Sequence, residues 1–380
     1  MRTVYLDYNA TTPLDENVRE AMMPLLGESF GNPSSIHHIG RKARAFLDDC
    51  RDRVSKVWKC KPSEVVFTSG GTESNNLAIC GSARLLKAKG RHLITSAVEH
   101  HAVLHTFEYL VNKEGFELTT LPVDVDGLVY PQDLADAIRN DTILVSVMAA
   151  NNETGAIQPV AELGSICRER EVLFHTDAVQ WFGKEPFENI LQFNANLVSL
   201  CGHKFHAPKG VGALFIKSPL LPDPIFFGGG HENERRAGTE NMAGIAGLVY
   251  AIENFVASPV FESRDLKPLA DRLAVLAELD GVRLAGPMAK RLANTVSFTV
   301  TGTDSMTLLA ALDMEGICAS SGSACSAGSL NPSHVISAMG RDEEEANSLV
   351  RFSLGRETSV EEIDFVLEQF PKILNRIRSF

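Results

Sequence analysis

Between Arg41 and Phe255, short apolar runs of strand length alternate with longer helical stretches, and nothing else in the sequence restricts the fold as sharply. Val65-Val66-Phe67-Thr68 is β-branched and aromatic; Ser69-Gly70-Gly71 ends it, and residues 72–89 read as a helix. Leu93-Ile94-Thr95 precedes a helical stretch over 101–112. Residues 142–149 are almost continuously apolar, as expected of a strand covered on both faces. A helix over 160–169 follows, and Val172-Leu173-Phe174 and Leu197-Val198-Ser199-Leu200 are further buried strands. Serial strand–helix units predict an α/β fold with a mainly parallel central sheet and helices on both faces.

Past Phe255 the pattern changes. Thr295-Val296-Ser297-Phe298-Thr299-Val300 reads as a strand, and residues 319–329 form a run of small side chains. The last helix begins at a capping box, Ser359 with Glu362 three residues later. It carries one apolar stripe through Ile363, Val366, Phe370, Ile373 and Ile377. Pro371 falls within that stripe and predicts a kink or a break. A second, smaller α+β domain is therefore expected from about residue 256, with its boundary near Ala257-Ser258-Pro259.

Charge narrows the partners. Acidic residues outnumber basic ones by 48 to 36, a formal net charge of −12. A nucleic-acid or membrane-surface binder needs the opposite excess, so neither partner is expected. No apolar run approaches the roughly 18 residues of a membrane span. The N-terminal Met1-Arg2-Thr3-Val4-Tyr5-Leu6-Asp7 lacks the apolar core of a secretory signal. The seven cysteines are scattered, without a CxxC pair, which speaks against a disulfide framework and a cysteine zinc site. A reducing, cytoplasmic setting is the expectation.

In a doubly wound sheet, ligands bind beyond the carboxyl ends of the strands. Five predicted strand ends deliver Gly71-Thr72, Glu99-His100-His101, Asn151-Asn152-Glu153, His175-Thr176-Asp177 and Gly202-His203-Lys204 to one rim. Gly70-Gly71-Thr72 offers close backbone approach and a helix start to a phosphate; alone it also reads as an ordinary turn with a capping threonine. Lys204 lies in an apolar, glycine-containing stretch, where partial burial favours a neutral amine able to form a Schiff base. Asp177 suits a pyridinium nitrogen, and His100 suits ring stacking and proton transfer. His101 and His105, spaced i,i+4, admit a metal reading, but the zincin glutamate spacing is missing. Cys325 sits in the small-residue run, read as an exposed, mobile loop, where its thiolate could act as a travelling nucleophile. Arg351, in strand-like Val350-Arg351-Phe352-Ser353, suits a bidentate clamp on a carboxylate.

The chain resembles the cysteine desulfurases, the NifS/IscS-type, class V aminotransferase branch of fold-type I pyridoxal-phosphate enzymes. The resemblance runs almost end to end. It is carried by Tyr5-Leu6-Asp7-Tyr8-Asn9-Ala10-Thr11-Thr12, Gly31-Asn32-Pro33, Gly71-Thr72-Glu73-Ser74-Asn75-Asn76, Asn151-Asn152-Glu153, Asp177-Ala178-Val179-Gln180, Gly202-His203-Lys204, Arg236-Ala237-Gly238-Thr239, Ser320 to Cys325 and Arg351-Phe352-Ser353. It implies pyridoxal 5'-phosphate attached to Lys204 and stacked by His100. Asp177 would pair with the ring nitrogen, Gln180 would bond the ring hydroxyl, and Asn152 would lie beside cofactor and substrate. Gly71, Thr72 and His203 would hold the phosphate, joined by Thr239 of the partner subunit. Asn32 and Arg351 would take the carboxylate of L-cysteine. Cys325 would attack the substrate sulfur, releasing alanine and keeping a persulfide for a sulfur-acceptor protein such as an iron–sulfur scaffold or a sulfur carrier. No metal is implied. The resemblance further implies a homodimer, a large domain over 15–255, and a small domain of 1–14 with 256–380 carrying the cysteine loop at about 319–332.

One position departs from the pattern. Cys201 stands where the family has a serine on the phosphate, and a thiol is the weaker donor. Looser cofactor retention or a compensating donor is expected there. Selenocysteine lyases, cysteine sulfinate desulfinases and aminotransferases share the fold, and an aminotransferase needs no thiol at Cys325. The reading of a different class is a non-catalytic scaffold binding metal through His100, His101 and His105.

Overall fold

The alternation of apolar residues within each run decides which side of the sheet it covers. The computed structural model describes residues 3–322 and 332–379. Its strands are β1 (Val4–Tyr5), β2 (Val65–Thr68), β3 (His92–Ser96), β4 (Glu117–Leu121), β5 (Thr142–Ser146), β6 (Leu173–Asp177), β7 (Leu197–Cys201), β8 (Gly212–Ile216), β9 (Val282–Leu284), β10 (Thr295–Val300), β11 (Ile317–Cys318) and β12 (Leu349–Ser353). A seven-stranded sheet has the order β2-β8-β7-β6-β5-β3-β4. All its strands are parallel except β8, which runs against both neighbours.

Both faces are buried, as the continuous apolar runs require. Val65, Phe67, Ala213 and Phe215 face one apolar layer; Val66, Leu214 and Ile216 face the other. The first layer is closed by helices His38–Trp58, Val160–Glu169 and Met242–Phe255, the second by Gly71–Leu86 and His101–Glu114. The helix expected over 72–89 thus ends at Leu86, where Lys89 N–H turns back to the Leu86 carbonyl. The strand expected over 142–149 stops at Ser146, but Val147 and Ala149 still donate to His175 and Asp177 on β6.

A separate apolar core joins the start of the chain to its end. Val4 and Leu6 pack with Phe298, Phe352 and Phe370. Around them lie the antiparallel sheet β12-β10-β9 and the parallel pair β1-β11. The final helix, Val360–Arg378, starts as expected: Glu362 N–H donates to Ser359 Oγ (3.3 Å) and Ser359 N–H to Glu362 Oε2 (3.0 Å). Pro371 does not break it. Proline removes one backbone donor, but Phe370, Ile373 and Leu374 on either side are buried, and that packing holds the helix through to Arg378. Among the described residues no helix is long and apolar enough to cross a membrane.

Candidate active site

Six parallel strands point their carboxyl ends at one rim, and a cavity of about 200 Å³ opens there. Gly71 and Thr72 reach it from the turn after β2, His100 from the turn after β3, and Asn152 from beyond β5. Asp177 and Cys201 come from the last residues of β6 and β7, and Gln180, His203 and Lys204 follow directly after. Arg351, at the centre of β12, closes the cavity from the second core.

The phosphate end is built from backbone. Gly70 has φ 152°, which favours glycine, and a Cβ on Gly71 would stand 2.8 Å from Val179 Cγ2. The bare helix start therefore faces the cavity together with the exposed Thr72. His203 bonds Thr11 Oγ1 at 3.1 Å, and burial, with Lys204 nearby, pushes its pKa down to about 4, so it is a neutral imidazole. Burial raises the pKa of the Cys201 thiol, which leaves it protonated.

The ring end is held by side chains. Asp177 is 5% exposed and accepts from Asn75 Nδ2 at 2.6 Å and Val179 N–H at 3.0 Å, so its carboxylate is fixed in direction. Behind it on β6, His175 bridges Ser146 Oγ (2.7 Å) and Ser199 Oγ (3.0 Å) across three strands; burial drops its pKa to about 3. His100 caps helix His101–Glu114: its Nδ1 accepts from Ala102 N–H at 3.0 Å. Burial lowers its pKa, and a helix N-terminus also disfavours a cation. The proton of the neutral ring therefore sits on Nε2. Lys204 Nζ donates to the carbonyls of Asn9 (2.7 Å) and Ala10 (2.8 Å).

Arg351 is 1% exposed and already engaged. Nη2 pairs with Asp7 (2.6 Å), while Nη1 donates to the carbonyls of Asn152 (2.7 Å) and Gly322 (2.5 Å). Its Nε has no partner among the described residues. Glu153 lies beside this cluster with its carboxyl buried, which raises its pKa. Ser333 Oγ bonds Glu153 Oε2 at 2.5 Å, and Gly322 (φ 104°) packs so closely that a Cβ there would stand 2.7 Å from the same oxygen. One carboxyl thus seats both Gly322 and Ser333.

Asn32 and Thr239 lie outside this cavity: both are exposed, and Asn32 Oδ1 accepts from Ser34 N–H. Thr239 borders a separate, smaller cavity with Arg236 and Glu232. Cys325 lies outside the described residues. His101 and His105 stack at 4.9 Å, and among the described residues no three His, Cys, Asp or Glu side chains form a group that could hold a metal. Asn9, Ala10, Asn75, Met148, Val179 and Gly322 also line the cavity, although the residue-level reasoning assigned them no role. Asn75 was within reach of it, since it lies three residues from Thr72 on one helix face.

The donor set suits pyridoxal phosphate. It offers an open helix start without a Cβ for the phosphate, a fixed buried carboxylate for the ring nitrogen, a neutral imidazole and one amine. Fold and site together define an α/β enzyme of the aminotransferase kind. Residues 4–366 match the aminotransferase class-V family model, and the chain belongs to that family, on its cysteine desulfurase branch. It is 47% identical to a cysteine desulfurase IscS of Dictyoglomus turgidum over 380 residues, covering 100% of this chain and 96% of the relative. Among solved structures it is similar to a NifS-like protein (TM-score 0.91, 36% identity, 99% and 100% of the two chains covered). It is also similar to SspA in complex with cysteine (TM-score 0.82, 35% identity, 94% and 100% covered).

Proposed function

We propose that this chain is a pyridoxal-phosphate-dependent cysteine desulfurase. It converts L-cysteine to L-alanine and passes the sulfur, kept as a persulfide on Cys325, to an acceptor protein such as an iron–sulfur scaffold or sulfur carrier. The observation that carries the reading is one cavity lined by the Lys204 amine, the Asp177 carboxylate, the His100 imidazole, the Thr72 helix start and Arg351.

Bound pyridoxal phosphate supplies the electron sink that weakens the bonds around the substrate's α-carbon. Lys204, whose amine now donates to the Asn9 and Ala10 carbonyls, would hold the cofactor aldehyde. Asp177, held by Asn75 and Val179, would keep the ring nitrogen protonated. Gln180 would take the ring hydroxyl, and Gly71, Thr72, His203 and the Cys201 thiol, all lining the cavity, would hold the phosphate. His100, uncharged and with its Nδ1 occupied, would face the ring and exchange a proton through Nε2. Arg351, its plane fixed by Asp7 and the Gly322 carbonyl, would bind the substrate carboxylate, with Asn152 and Asn32 assisting.

The active form is a cytoplasmic homodimer in which Thr239 completes the site of the partner subunit. The exposure of Asn32 and Thr239 outside their own chain's cavity supports this. The chain divides into a large domain over 15–255 and a small one of 1–14 with 256–380, a division supported by the separate core that joins Val4 to Phe370.

Borohydride treatment of the native protein should fix the cofactor to the peptide containing Lys204, and Lys204→Ala should lose the visible band. Cys325→Ser should keep the band while sulfide release from cysteine falls by on the order of a thousandfold or more. Sulfide release at the parent rate would remove Cys325 as the nucleophile.

A further inference from the structure

Lys184 is 3% exposed, four residues beyond Gln180 in the turns that follow β6, and the residue-level reading gave it no part. Its Nζ donates to Asn9 Oδ1 at 2.7 Å and to Gln180 Oε1. Both acceptors are neutral amide oxygens; among the described residues no carboxylate is in hydrogen-bond contact with this buried amine, and only the charge of the adjacent Glu185 acts against its desolvation. Burial, followed by the neighbouring charges of Lys204 and Arg351, holds its pKa well below the ordinary value. A buried amine that is costly to keep invites the question of what it orients.

The answer lies in the handedness of the amides. Whether charged or neutral, Nζ has a hydrogen for each of its two neighbours, and each of those amides presents oxygen to it. Gln180 must then turn its NH2 the other way, and Nε2 does donate to the Asn9 carbonyl at 3.0 Å. Asn9 obeys the same constraint: Oδ1 takes Lys184, and Nδ2 donates to Thr295 Oγ1 at 2.9 Å. The Asn9 carbonyl that receives Gln180 also receives Lys204 Nζ. Two lysines and one glutamine therefore meet on Asn9, at the wall of the cavity.

We propose that Lys184 is a positioning residue: it locks the Gln180 amide with Oε1 toward Lys184 and NH2 on the Asn9 carbonyl at the cavity wall, so that the remaining amide hydrogen is offered to a cofactor bearing an acceptor oxygen on its ring. This rests on the proposed binding of pyridoxal phosphate at Lys204 and adds a residue that does not touch the cofactor.

The test compares pyridoxal phosphate with its analogue lacking the ring hydroxyl. Dissociation constants for both are measured on the parent protein, Lys184→Met and Lys184→Gln, with melting curves to establish folding. The parent should prefer the hydroxylated cofactor. Lys184→Met should reduce that preference by about tenfold, the equivalent of one hydrogen bond, while affinity for the analogue changes little. Lys184→Gln, which keeps a shorter donor, should fall between. An unchanged preference in whichever variants remain folded, or an equal loss for both ligands, would overturn the role of Lys184. Failure of the parent to bind pyridoxal phosphate at all would instead overturn the reading of the site.

Discussion

Glu99 has no exposed atom and stands one residue before His100. Its Oε1 accepts from Ser96 Oγ (2.5 Å) and Met148 N–H (2.9 Å), while Oε2 has no partner among the described residues. Burial pushes its pKa from 4.5 up to about 8. Below pH 4.5 both folded and unfolded chains hold this proton; between 4.5 and 8 only the folded chain does. Its contribution to stability is therefore complete in acid and lost as pH rises through 8. Glu99→Gln, which mimics the protonated carboxyl, should stabilise the fold at pH 8 by up to about 4 kcal/mol, a gain that shrinks toward zero near pH 5. Denaturation at both pH values checks it, and equal stability changes at the two would mean that Glu99 is ionised in the fold. The sequence names Glu99 as a strand-end residue but says nothing of its burial. His100, Asp177 and Lys204 were legible because a general rule places ligands at strand ends. The commitment of Arg351 to Asp7 was not, because the partners lie 344 residues apart.

The strands and helices of the large sheet were readable from apolar periodicity; their ends were not, because ends depend on caps and neighbours. The chain past Ile216 shows the limit most clearly. Glu232, Asn233 and Glu234 are all left-handed, with φ of 49°, 55° and 65°, and no glycine marks those three positions. A buried ion pair supports this turn. Glu232 accepts two bonds from Arg51 (2.7 and 2.8 Å) and one from Phe67 N–H on β2 (2.9 Å), while Arg51 also reaches the Val65 carbonyl. Arg51→Leu leaves a carboxylate buried without its partner and should cost about 3–5 kcal/mol in chemical denaturation. A loss below 1 kcal/mol would mean the turn is held by other contacts. Pro371 teaches the converse: a local breaker yields when the residues around it are packed on both sides.

The segment that contains Asn32 also exposes Leu26, Phe30 and Ile36, the last at 90%. Large apolar side chains so exposed and so near one another in sequence suit a covered surface, such as a second copy would supply. On the proposed homodimer, Ile36→Asp should halve the mass seen in sedimentation, and cofactor retention should weaken with it if the proposed contact of Thr239 with the neighbouring site is lost. An unchanged mass would place the subunit contact elsewhere. A second unit past residue 256 was legible in the change of pattern, but the packing of Val4 and Leu6 into its core could not be read from periodicity, because it joins segments far apart in the chain. The shared seat of Gly322 and Ser333 on Glu153 has one more consequence. Gly322 lines the cavity, so the Glu153 carboxyl moors that stretch of the cavity wall to the segment at Ser333. Loss of that mooring would slacken the rim beside Arg351, whose guanidinium also holds the Gly322 carbonyl.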